Sequence, residues 1–141
     1  MADDALECAL RALRHRDRSI GQIDRHLEAR GFSKSDRGQA IATLIRTGLV
    51  DDSRYAETRA ASLAARGAGN ELIRYELAEA RVSSELVEEV LERLEPEVTR
   101  ARRIVLSRGG GPRTARYLSG KGFADAVVRT AIAEESEDEL G

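Results

Sequence analysis

The sequence predicts an all-α protein built as an elongated array of three tandem three-helix repeats. Three observations carry that prediction. Apolar residues recur at helical rather than alternating spacing, as in Leu6, Ala9, Leu10 and Leu13, or Ala40, Ile41, Leu44 and Ile45. Ala, Leu, Glu and Arg dominate, and with 4% aromatic residues and no Trp a large aromatic-centred core is not available. The third observation is an internal repeat. Aligning Leu27, Leu77 and Leu118 gives offsets of 50 and 41 residues (77 − 27 and 118 − 77). Phe32, Val82 and Phe123 then lie five residues on, and Ile41, Leu91 and Ile132 fourteen on. Self-similarity at such a period marks stacked units rather than one globule.

Taken in order, the first helix covers about residues 4 to 16. Ser19 and Gln22 form a capping box that opens the second, with Ile20, Ile23 and Leu27 as its apolar stripe. Gly31 stops it, Phe32 returns to the core, and Ser33 caps a third helix. Asp36 and Arg37 fill slots that Leu86–Val87 and Val127–Val128 fill later, so this helix is expected to be shorter or less buried at its start. A fourth helix runs from about 52 to 66. Asn70 is the expected cap of a fifth, carrying Leu72, Ile73 and Leu77, and Ser83 caps a sixth, carrying Leu86, Val87, Val90, Leu91 and Leu94. After Pro96 come Val98, Ala101, Ile104 and Val105, then a Gly109-Gly110-Gly111-Pro112 loop, Ala115 and Leu118. Gly122-Phe123 repeats Gly31-Phe32, with Phe32 and Phe123 both expected inside, and Val127, Val128, Ala131 and Ile132 close the last core. The units are residues 1–50, 51–95 and 96–135, followed by an acidic disordered tail, 136–141, whose run of acids begins at Glu134.

The most specific stretch is Gly48 to Glu57. Gly48 fits the left-handed position that ends a helix, and Asp51 or Asp52 can cap the next one. With Asp51 as the cap, Val50 and Tyr55 take the positions of a hydrophobic staple. The stretch reads as a hinge of fixed angle between two helices, with a role that is mainly architectural.

At these residues the chain resembles the RecX regulatory family, whose signature is an Asp-Asp pair followed by Arg-aromatic-Ala. Asp51, Asp52, Arg54, Tyr55 and Ala56 match it. The resemblance covers residues 5 to 133 and includes Arg16-Asp17-Arg18-Ser19, Gly31-Phe32, Glu76-Leu77, Tyr117-Leu118 and Gly122-Phe123. It implies a cytoplasmic negative regulator of the recombinase RecA. Such a protein lies in the groove of the filament that RecA forms on single-stranded DNA. There it inhibits recombinase, ATPase and co-protease activity, linking it to DNA repair and the SOS response.

The residues themselves offer little to catalysis. His15 and His26 stand beside arginines that repel a metal ion, and Cys8 lies among apolar neighbours as an inert thiol. The Gly109–Pro112 loop lacks the Lys-Ser/Thr of a phosphate-binding loop. No enzyme activity, cofactor or metal is expected. The single cysteine excludes an intramolecular disulfide and suits the cytoplasm, and no apolar run reaches the length of a membrane span.

Binding has more support. Net charge is −2, yet charge is segregated: residues 100 to 121 carry bases and no acid, whereas residues 71 to 97 hold nine acids against three bases. The contact candidates are Arg100, Arg102, Arg103, Arg108, Arg113, Arg116 and Lys121 in that block, and Arg11, Arg14, Arg16 and Arg18 near the N-terminus. The expected partner is the RecA filament on single-stranded DNA, with weak direct DNA binding, no membrane, and the chain monomeric. The alternatives are a stand-alone helical DNA-binding regulator and a helical scaffold for another protein.

Overall fold

Ser19, Ser33, Asp51 and Ser83 each cap the helix that follows them. The computed structural model describes the backbone of residues 2–140 and the side chains of residues 3–135, and the described residues form nine helices and no strand. The first unit is α1 (Ala2–His15), α2 (Ile20–Ala29) and α3 (Lys34–Arg46). Its core is Ala5, Cys8, Ala9, Ala12, Ile23, Leu27, Ala40, Leu44 and Val50. The second is α4 (Asp52–Ala65), α5 (Asn70–Glu79) and α6 (Ser84–Arg93), closed on Ile73, Leu77, Val82, Val87, Val90 and Leu91. The third is α7 (Glu97–Arg108), α8 (Pro112–Gly120) and α9 (Asp125–Leu140), around Val105, Leu118, Phe123, Val128 and Ala131. The strong helix pairings all fall inside a unit, which gives three small cores in a row.

The repeat read from the sequence has a common backbone cause. Leu27, Leu77 and Leu118 have no exposed surface, and each carbonyl accepts the N–H five residues on, from Phe32 (3.2 Å), Val82 (3.0 Å) and Phe123 (3.1 Å). That bond belongs to the left-handed turn that ends a helix and folds the next apolar residue back onto it. Ser19 and Gln22 form the expected capping box, and Ser33 and Ser83 accept from the N–H three residues on.

Several expectations change. α3 spans 13 residues against 10 for α6, so it is not shorter; its buried residues nevertheless start only at Ala40, because Arg37 turns to Asp24 and to the Phe32 carbonyl. Phe123 is buried at 2% exposure, while Phe32 is only half-buried at the edge of its core. Asn70 is the first residue of α5 rather than its cap; Gly69 takes that place. Val50 joins the first core and Tyr55 packs against the second, so they do not close a staple over one core. The run of acids from Glu134 is not free at its start, since Glu134 bonds Arg102 from within α9. The expected tail, 136–141, lies outside the residues whose side chains are described.

Successive units meet through one joint used twice. At the first, Ser19 Oγ donates to the Ala80 carbonyl at 2.5 Å, and the Ile20 N–H donates to Asp52 Oδ1 at 2.8 Å. At the second, the Gly69 and Glu71 N–H groups donate to the carbonyls of Lys121 (2.8 Å) and Gly122 (3.0 Å). The Asn70 N–H donates there to Glu97 Oε2 at 2.5 Å. In both, the start of a middle helix meets the turn after the next unit's middle helix. A carboxylate at the first position of the next unit's first helix receives one of the free N–H groups.

Candidate functional site

The signature residues sit at the first joint. Asp51 caps its own helix, accepting from the Arg54 N–H at 3.1 Å, while Asp52 reaches back to α2. Burial raises the Asp52 carboxyl above the ordinary range, against the opposing pull of the Ile20 N–H. The Arg54 guanidinium donates to the carbonyls of Gly48 (3.1 Å) and Leu49 (3.4 Å) at the end of α3, and lies 3.8 Å from Asp17. Ala56 is fully buried. Tyr55 is half-buried and lines a cleft between the first two units with Gln22, Arg25, Arg59 and Glu76. Asp52 and Arg54 tie the first two units together, Asp51 caps α4, and Tyr55 and Ala56 pack in the second core, so the pattern has a structural explanation.

The block from 100 to 121 is acid-free in sequence but not in space. Arg100 is buried at 6% exposure and donates to the Glu95 (3.0 Å) and Ala68 (2.9 Å) carbonyls and to the Asn70 side chain. It ties α7 to the second unit and is withdrawn from any contact surface. Arg102 pairs with Glu134, and Arg103 bonds Glu95 at 2.7 Å, which holds that carboxyl below its usual range. Arg108 lies over the Tyr117 ring, 3.5 Å from its centre. Arg113 and Arg116 on α8 are exposed and Lys121 is half-buried, without an ion pair among the described residues.

The N-terminal arginines fare the opposite way. Arg11, Arg14 and Arg16 are exposed, Arg18 is half-buried, and among the described residues none of the four forms an ion pair. Folding adds neighbours that linear reading missed. α1 and α2 enclose a hollow of about 370 Å³ lined by Arg11 and His15, Arg18, and His26 and Arg30. The signal was present in the four-residue spacings 11/15 and 26/30, which place each pair on one helix face. Burial, with Arg18 and Arg30 nearby, lowers the His26 pKa below its ordinary value. Across the second unit, by contrast, three arginines are matched with acids of the same unit: Arg74 with Glu88 (2.7 Å), Arg93 with Glu57 (2.6 Å) and Arg59 with Glu76 (3.5 Å).

No three His, Cys, Asp or Glu side chains among the described residues converge as a metal site would, and no described helix is long and apolar enough to cross a membrane. Fold and surface together define a tandem helical-repeat protein with free positive charge on its outer units and an acid-rich middle unit in which Arg59, Arg74 and Arg93 are paired. Comparison with known proteins narrows this class. Residues 51–91 match the family described as RecX, second three-helix domain. The Regulatory protein RecX of Halorhodospira halophila is 31% identical, with 96% of this chain and 91% of that protein covered. That of Chromohalobacter salexigens is 33% identical over 92% of this chain and 91% of its own. The crystal structure of RecX from Lactobacillus salivarius superposes with a TM-score of 0.82 at 18% identity, covering 96% of both chains, and shares the fold. The chain belongs to the RecX family of regulatory proteins.

Proposed function

We propose that this protein is a cytoplasmic negative regulator of RecA that binds the recombinase filament on single-stranded DNA. By binding alone, as a monomer, it restrains recombinase, ATPase and co-protease activity. The observation that carries this reading, beside the family, is the distribution of unmatched charge. Units 1–50 and 96–135 present free arginines on either side of unit 51–95, in which Arg59, Arg74 and Arg93 are paired internally and Arg54 and Arg81 face acids of the first unit. A row of units can meet several protomers and intervening phosphates at once, and weak contacts then add by multivalency. Free DNA offers only part of that surface, so direct DNA binding is weak.

The site residues in this reading are Arg11, Arg14, Arg16 and Arg18 on the first unit and Arg108, Arg113, Arg116 and Lys121 on the third. Arg102 and Arg103 play a smaller part because Glu134 and Glu95 occupy them. The test titrates the protein into a RecA–single-stranded-DNA ATPase assay at low and moderate salt. Reversing Arg113 and Arg116 to Glu, or Arg11 and Arg14 to Glu, leaves the fold intact and weakens inhibition most at low salt, where steering charges act furthest. Inhibition unchanged in both variants at both salts would sink the electrostatic reading. A steep salt-dependent grip on duplex DNA without recombinase would instead mark a stand-alone helical DNA-binding regulator.

A further inference from the structure

Burial of an arginine in this chain comes with a partner, with one exception. Among the described residues five arginines are buried or half-buried: Arg18, Arg37, Arg59, Arg100 and Arg102. Arg37 bonds Asp24 and the Phe32 carbonyl, Arg59 bonds Glu76, Arg100 bonds two carbonyls and Asn70, and Arg102 bonds Glu134. Among the described residues the Arg18 guanidinium has no bonding partner, and its Nε is sealed from solvent without an acceptor. A desolvated cation left uncompensated is costly, and the usual remedy is an anion.

The surroundings supply a place for one. Arg18 forms the wall between two hollows, of about 370 Å³ and about 290 Å³. Into the first face Arg11 and His15 from α1 and His26 and Arg30 from α2, above Cys8. The second shares Arg18 and His26 and adds Arg16 and Arg25. Neither lining contains an acid, and neither α3 nor the second unit contributes a residue to them. Converging guanidinium and imidazole groups match the tetrahedral oxygens of phosphate, which several N–H donors can hold at once.

We infer that the α1–α2 hollow is a phosphate-binding site, with Arg18 as its central ligand and Arg11, His15, His26 and Arg30 around it. The phosphate comes from a nucleic-acid strand or from a free polyphosphate. The inference goes beyond the filament reading, because it concerns this chain and phosphate with no recombinase present. A bound phosphate anion favours the protonated imidazole, and unliganded His26 resists protonation because of burial and the arginines nearby. Binding therefore takes up protons, and affinity rises as pH falls toward the ordinary histidine range.

The experiment is calorimetric titration of the full chain with inorganic pyrophosphate, a short oligothymidylate and a glutamate-rich peptide, recombinase absent. Arg18→Gln is expected to weaken binding of the phosphate probes by about tenfold or more, the effect of losing a hydrogen bond to a charged group. Arg66→Gln, on the second unit and lining neither hollow, is expected to leave it within about twofold, as a distant screened charge should. His26→Gln retains binding at neutral pH and loses its strengthening in mild acid. Since the Arg18 side chain makes no bond among the described residues, Arg18→Gln should fold; Arg30→Gln provides a second variant at the same hollow, expected to weaken both probes. Tighter binding of the oligothymidylate assigns the site to a strand, and tighter binding of pyrophosphate to a free polyphosphate. Equal losses in Arg18→Gln and Arg66→Gln, or binding of the acidic peptide alone, would overturn the proposal. Either failure leaves the filament ATPase test untouched.

Discussion

Asp51 and Asp52 are adjacent carboxylates with different jobs. Asp51 accepts from within its own helix, whereas Asp52 accepts from the start of α2, 32 residues earlier in the chain. Burial raises the Asp52 pKa above its ordinary value of 3.8, so the folded chain takes up this proton at higher pH than the unfolded one. Its ionised form therefore lowers stability above the folded pKa, and that penalty fades as pH falls through the raised value. Asp52→Asn, which keeps an acceptor, is expected to remove this acid-range dependence at little cost near neutral pH. Asp52→Ala leaves the Ile20 N–H without its acceptor and costs about 1 kcal/mol. Urea midpoints across the acid range check both; an Asn variant that tracks the wild type throughout would contradict the assignment.

At the scale of the helix, the joints depend on close approach. A Cβ added at Gly21 in α2 would stand 2.4 Å from Arg81 Cβ, an approach that forces the two units apart. Arg81 itself sits at φ 61°, the place that Gly31 and Gly122 fill in the other units, and lies 3.9 Å from Asp24 across the joint. Gly38, inside α3, has nothing within 4 Å of an added Cβ. Gly38→Ala is expected to stabilise the protein by about 1 kcal/mol through helix propensity. Gly21→Ala should do the reverse and cost roughly 1–3 kcal/mol by overpacking. Thermal melts decide it, and a stabilising Gly21→Ala would mean that the joint is looser than its geometry.

For the molecule as a whole, Arg100 is a buried tie between the second and third units. Replacing it with Leu leaves the Ala68 carbonyl and the Asn70 side chain without their donor, at a cost of about 2–3 kcal/mol. In a row of units with separate cores that loss falls on one boundary, so the third unit should melt ahead of the first two. Circular dichroism together with proteolysis would show two steps where the parent has one. A single step with an unchanged midpoint would mean that Gly69, Glu71 and Glu97 hold the boundary without it.

Helix number, the serine caps and the unit period were legible in the amino-acid order because their causes are local. A serine oxygen reaches an N–H three residues on, and a left-handed turn returns Phe32, Val82 or Phe123 to the leucine five residues before it. The RecX signature was legible for the same reason, being contiguous. What each arginine does was not. Arg100 is interior because α7 docks on the second unit, and Arg103 meets Glu95 eight residues before it across the α6–α7 turn. His26 and Arg30 join Arg11, His15 and Arg18 only when α2 folds back along α1. Charge acts through space, so a segment without acids can be neutralised by distant ones, and a dispersed set of bases can converge. The sequence by itself determined where helices start, stop and repeat. Only the tertiary structure decided which charges remain free for a partner.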